Sequence, residues 1–137
     1  MNKDELMKIL PHRDSMLLLD SATVSDGHAH GVRRITGSEW FLDGHFPGSP
    51  VVPGVILCEI LGQSVAVLLA DQVTGKGVPM FTGLDRVRFR HPVRPGDTFV
   101  TDCVITKSRP PFYWCEGEGR VGDTLCVSAS FSFALNV

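Results

Sequence analysis

The chain has 137 residues, a formal net charge of −2, 43% hydrophobic residues and 20% charged residues. This length suits a single domain, and the composition is that of a folded globular protein rather than a disordered or fibrous one. The mild acidity offers no nucleic-acid-binding surface, and the charged start Met1-Asn2-Lys3-Asp4-Glu5 is not followed by a secretory leader pattern, so a cytoplasmic protein is expected.

Taken in chain order, Asn2 to Leu10 predicts a short helix that stops before Pro11. Met16 to Ser25 and Ala29 to Ile35 predict two strands around the turn signal Asp26-Gly27. Ser38 to Leu42 reads as a connector. A loop stiffened by Pro47, Pro50 and Pro53 then leads into a long apolar helix, roughly Pro53 to Asp71, which Gly75 and Gly77 are expected to end. Pro79 to Pro92, Asp97 to Ser108, Phe112 to Val121 and Leu125 to Leu135 read as strands, separated by Pro95-Gly96-Asp97, Pro110-Pro111 and Val121-Gly122-Asp123. In Asp85 to Arg90, Val87 and Phe89 alternate with Arg86, Arg88 and Arg90, which predicts one buried face and one basic face. The sum is an α+β chain: about six strands in a curved antiparallel sheet wrapped around one long helix.

The run Val51 to Ala70 is long enough to span a bilayer, but Pro53, Gly54, Glu59, Gly62, Gln63 and Ser64 interrupt it, and no basic flank anchors it. A buried helix without membrane insertion is expected. Cys58, Cys103, Cys115 and Cys126 are widely spaced with no CxxC pair; their apolar surroundings predict buried free thiols.

Chemistry concentrates in Gly44 to Gln63. Glu59 is a carboxylate among Val, Ile and Leu, a costly placement unless the group is neutralised or paired. Desolvation raises the pKa of such a group, and Gln63, one turn on, is placed to share a hydrogen bond with it. His45, in the proline-stiffened loop, is either a turn-fixing histidine or a base that is available near neutral pH. The first N–H groups of the helix, from Gly54 onward, lack intrahelical acceptors, and the dipole there favours a developing oxyanion. A base and an acid of raised pKa are the parts of a proton abstraction with elimination. His28 and His30 lack a third ligand at recognisable spacing, Ser49 and Ser64 lack a nucleophile motif, and no phosphate-cradling glycine motif occurs. No metal or cofactor is expected. The face of Arg86, Arg88 and Arg90, with Arg94 nearby, is either an ordinary solvated strand face or a docking surface for an acidic partner.

Leu10-Pro11-His12-Arg13 followed by Met16 to Asp20, then GHFPGSPVVPGVILCEILGQ from Gly44, then Leu84 to Asp97, together resemble the motifs of the (3R)-hydroxyacyl-[acyl carrier protein] dehydratases of bacterial type II fatty acid synthesis, over nearly the whole chain. The resemblance implies a hot-dog fold. It also implies His45 and Glu59 as catalytic residues, Gly54 as oxyanion donor, and an acyl carrier protein thioester as substrate. It further implies a homodimer with shared sites, often assembled as three dimers. Glu at position 59, rather than Asp, points to the non-isomerising branch. Asp14-Ser15 and Met80 depart from the usual pattern, which leaves acyl chain length open. A hot-dog acyl thioesterase and a non-catalytic acyl-binding protein remain the alternatives.

Overall fold

The computed structural model describes residues 1–73 and 78–136; Gly75 and Gly77, expected to end the helical excursion, lie outside them. Helix α1 (Lys3–Ile9) opens with a capping box, in which the Asn2 side chain accepts from Glu5 N–H and Glu5 accepts from Asn2 N–H. Strands β1 (Ser21–Ser25) and β2 (His28–Arg34) form the expected hairpin. Met16 to Asp20, expected as the start of the first strand, is not strand. Asp14–Met16 is a 3₁₀ turn, and Leu17, Leu18 and Leu19 are all buried. Three consecutive leucines can all be buried because the segment packs as a covered strap instead of alternating across a sheet.

Helix α2 (Gly54–Ala66) continues through a 3₁₀ turn, Val67–Leu69, into a last helical turn, α3 (Ala70–Val73). Pro53 is its N-cap; the Pro53 carbonyl accepts from Ile56 and Leu57. Then follow β3 (Val78–Phe89), β4 (Thr98–Arg109), β5 (Phe112–Val121) and β6 (Thr124–Asn136). All pairings are antiparallel, in the order β1-β2-β4-β5-β6-β3, so β1 and β3 form the two edges.

The inner face of the sheet carries Phe99, Thr101 and Cys103 on β4, alternating with exposed Thr98, Val100 and Asp102. β6 presents Val127, Ala129, Phe131 and Phe133 inward. Against them lie Ile56, Leu57, Ile60, Leu61 and Val65 of α2, and together these residues make one continuous apolar cluster. A buried polar seam fixes the contact. Gly31 N–H donates to Thr101 Oγ1 (2.7 Å), Thr101 donates to Ser64 Oγ (2.8 Å), and Ser64 donates to the Ile60 carbonyl (2.7 Å). Every member of the seam is satisfied, and the Ser64 hydroxyl is committed to it. All four cysteines are buried free thiols, as expected.

The edge strand β3 departs from its predicted pattern. Its register against β6 shifts between Asp85 and Arg88, and Arg86 has φ +49°, so one extra residue is accommodated there as a bulge. The bulge keeps Arg86 and Arg88 on the outer face, where Arg86 reaches Ser130 Oγ. The predicted buried face is only partly covered: Val87 is half-buried, and Phe89 stays 56% exposed although its ring lies over Gly54. A Cβ at Gly54 would meet the Phe89 ring at 2.7 Å, and one at Gly62 would meet the Phe81 ring at 2.7 Å. These two glycines, two turns apart, let the edge strand cross close to the helix.

Candidate active site

Helix α2 is not covered all round by its own chain. Val55, Glu59 and Gly62, spaced by four and three residues, form the stripe that is not fully buried, with Val55 72% exposed. The carboxylate therefore sits on the one face of the helix that the sheet leaves open. It lines a cavity of about 250 Å³ with Gly62, Gln63, His12, Pro79, Met80, Phe81 and Phe133. Burial raises the Glu59 carboxyl above its usual range, and a hydrogen bond from the Gln63 side chain opposes that only in part.

Gln63 is fully buried and does more than contact Glu59. Its Oε1 accepts from Leu18 N–H (3.0 Å) and its Nε2 donates to the Met16 carbonyl (2.8 Å). The amide thus ties the strap at Met16 to Leu18 down onto α2 beside the acid.

His12 is the residue in this cavity that sequence reasoning left without a role. Its Nε2 lies 3.9 Å from Glu59 Oε2, and its Nδ1 is buried with no hydrogen-bond partner among the described residues. Burial lowers its pKa, and the adjacent Arg13 charge lowers it further. The signal that would have found it is spatial: position 12 meets position 59 only through the tertiary fold.

His45 lies elsewhere. Its loop is built from three left-handed residues, Gly44 (φ +74°), Phe46 (φ +54°) and Gly48 (φ +85°), and His45 N–H donates to the Leu42 carbonyl. A positive φ is uncommon for an aromatic residue, and the Phe46 ring stacks obliquely on the His45 imidazole, centroids 4.2 Å apart. His45 Nδ1 sits 2.9 Å from the Val51 carbonyl, which can only accept. Nδ1 therefore carries the proton, and the Nε2 lone pair is left free to act as a base.

Gly54 lines a second groove of about 500 Å³ at the start of α2, with Val51, Phe89, Arg90 and His91 among its neighbours. Five residues along a helix correspond to ~7.5 Å of rise and about 140° of rotation, so Gly54 and Glu59 face different ways. Within one chain, then, Glu59 and Gln63 share one cavity, Gly54 lines another groove, and His45 lies outside the Glu59 cavity. Of the four arginines, Arg90 lines the Gly54 groove and Arg86 lines the outer face of the sheet, so they are not a single patch. His28 Nδ1 pairs with Asp102 at 2.6 Å on that outer face, well removed from Glu59 in the fold.

The comparisons with known proteins bear on the family and the fold. Residues 10–130 match the FabA-like domain family. The chain is 37% identical over 134 residues to the 3-hydroxyacyl-[acyl-carrier-protein] dehydratase FabZ of Fusobacterium nucleatum, covering 96% of this chain and 94% of that one. It is 40% identical over 136 residues to the FabZ of Macrococcus caseolyticus, covering 96% and 93%. Among solved structures, the dehydratase heterocomplex ApeI:P of Xenorhabdus doucetiae superposes with a TM-score of 0.82 at 21% identity, over 96% of this chain and 91% of that one, which shows the shared hot-dog fold. With its motifs, its sheet-wrapped helix and these relatives in agreement, the chain belongs to the FabA-like family, among the 3-hydroxyacyl-[acyl carrier protein] dehydratases.

Proposed function

We propose that this chain removes water from a (3R)-3-hydroxyacyl thioester carried on acyl carrier protein, at a site made by two copies of the chain. The observation that carries the division is the separation of His45 from the cavity that Glu59 lines, on the helix stripe its own sheet leaves uncovered. A second protomer laid along that stripe would cover Val55 and the exposed edge-strand residues Met80, Phe81 and Phe89, and would bring its own His45 loop to Glu59.

In that arrangement His45 Nε2 takes the C2 proton. The C2–H electron pair becomes the C2–C3 double bond as the C3–O bond breaks. The Glu59 carboxyl, its pKa raised by burial, gives its proton to the departing hydroxyl, so that water leaves and trans-2-enoyl thioester remains. The N–H of Gly54, at the positive end of α2 in the protomer that supplies His45, stabilises charge on the thioester oxygen. Gln63 orients Glu59. The chemistry moves protons and water only, and these residues suffice for it. Arg86, Arg88, Arg90 and Arg94 are the proposed contacts to the acidic carrier protein, with Arg90 nearest the Gly54 groove.

The test is turnover of a panel of 3-hydroxyacyl-carrier-protein thioesters of graded length, read both as enoyl product and as free thiol. Enoyl product without thiol is expected. Thiol release without enoyl product would make the chain a thioesterase, and turnover of none of the panel would leave it an acyl-binding protein.

A further inference from the structure

His12 is the half-buried titratable group in the Glu59 cavity that the proposed mechanism does not use. Its placement is enforced. The Arg13 guanidinium donates to the carbonyls of Leu10 (2.7 Å), His12 (2.7 Å) and Met7 (2.8 Å), so one side chain locks the turn after α1. From that turn the imidazole enters the Glu59 cavity with Nε2 toward Glu59 Oε2 at 3.9 Å, while Nδ1 is buried with no hydrogen-bond partner among the described residues.

The two nitrogens differ in what they tolerate. A proton on Nδ1 would be a buried donor with nothing to donate to, a costlier arrangement than a bare lone pair there. The proton therefore belongs on Nε2, the nitrogen that faces the acid. A distance of 3.9 Å exceeds hydrogen-bonding range, but it is within one small adjustment or one bridging water, and catalytic contacts of this kind tighten when substrate closes the site.

We propose that His12 is a positioning residue for Glu59, its Nε2–H fixing the carboxyl oxygen on one side as Gln63 does on the other, so that the acidic proton is aimed into the cavity. The inference rests on the dehydratase reading for its catalytic consequence, but the His12–Glu59 coupling itself does not depend on activity. The groups facing Glu59 are few. α2 contributes Gly62 and Gln63, β3 contributes Pro79, Met80 and Phe81, and β6 contributes Phe133, none of which titrates. His12, from the turn after α1, is the remaining neighbour within the described chain, and the partner's His45 loop completes the proposed site. Because Nε2–H stabilises the ionised carboxylate more than the neutral acid, removing it raises the Glu59 pKa.

The experiment uses the full chain with ¹³C-labelled glutamate and ¹⁵N-labelled histidine, in wild type, His12→Gln (which keeps a donor near the Nε2 position) and His12→Met (which fills the space without one). In the Met variant Glu59 is expected to titrate at higher pH than in wild type. Its kcat should fall about tenfold with KM within about twofold, and the alkaline limb of its kcat profile should move up with the titration. The Gln variant should stay close to wild type in all three. An unmoved Glu59 titration in the Met variant, or a Gln variant impaired as much as the Met variant, overturns the proposal. If the Met variant does not fold, the wild-type ¹⁵N spectrum decides. A bare Nδ1 with protonated Nε2 supports the assignment, and the opposite tautomer overturns it. A wild type that dehydrates no 3-hydroxyacyl thioester defeats the functional reading instead, and the Glu59 titrations still decide whether His12 and Glu59 are coupled.

Discussion

At the scale of single residues, the placement of Glu59 costs stability. Burial raises the Glu59 pKa, so the unfolded chain releases that proton at lower pH than the folded one does. Between the ordinary carboxylate range and the raised value the folded state holds the extra proton, and stability falls as pH rises through that window. Glu59→Gln is therefore expected to be more stable than wild type at pH 8, with the gap closing toward pH 4. Denaturant midpoints at the two pH values measure this. The same variant, and His45→Ala, should each lose about 10²–10⁴-fold in dehydration while folding normally. Steady-state turnover on a carrier-bound substrate checks it; near-normal activity in either folded variant would remove that residue from the mechanism. The placements of His45 and Glu59 were legible in the sequence, a histidine in a rigid loop and an acid in an apolar helix, whereas their catalytic roles belong to the proposal. His12 was not legible in this way. Nothing in Leu10-Pro11-His12-Arg13 marks its imidazole as facing an acid, since Glu59 lies 47 positions further on.

At the scale of elements, β5 was read with its observed bounds, Phe112–Val121, because alternation and turn residues agree there. The strap at Met16 to Leu19 was misread as strand because its apolar run has no period, and the cause of its true shape, the Gln63 amide, is remote in sequence. The bulge at Arg86 leaves no trace in an Arg/apolar alternation that continues through it. The contact of α2 with the sheet makes its own prediction. A Cβ at Gly31 would lie 2.4 Å from Ser64 Oγ, 2.7 Å from Leu19 Cδ2 and 2.9 Å from Thr101 Oγ1. Gly31→Ala should therefore push the helix off the sheet and cost about 1–3 kcal/mol, read as a lower denaturant midpoint. The connector after β2 carries a second prediction. Burial alone would raise the Glu39 carboxyl, but hydrogen bonds from Thr36 N–H, Gly37 N–H and Arg33 outweigh it and bring the pKa down to about 2. This carboxylate stabilises the fold above its unfolded value near 4.5, and that stability is lost as pH falls toward about 2. Glu39→Gln should flatten the acid limb of the stability–pH profile, as thermal melts between pH 3 and pH 7 will show.

At the scale of the whole molecule, one chain leaves open the Val55–Glu59–Gly62 stripe, the free edge of β3, and arginines divided between the Gly54 groove and the outer face of the sheet. No helix among the described residues is long and apolar enough to cross a membrane. In the proposed assembly a second copy covers the first two, and the arginines are the proposed contacts to an acidic carrier protein. Exposed charge attraction weakens with salt, the Debye length being about 10 Å at 0.1 M. KM for a carrier-bound substrate should thus rise with ionic strength, whereas KM for a small thioester analogue should not; parallel salt responses would end the case for electrostatic docking. The sequence pointed to a shared site only through its family resemblance, because the pairing of two chains is written in what one chain fails to cover. That pairing is the central claim, and complementation tests it most directly. His45→Ala and Glu59→Gln chains, each inactive alone, are unfolded together at equal concentration and refolded. Random pairing makes half the dimers mixed, each with one intact site of two, so about a quarter of wild-type activity should return. Verified mixed dimers that recover no activity would place the acid and the base in the same chain and contradict the account.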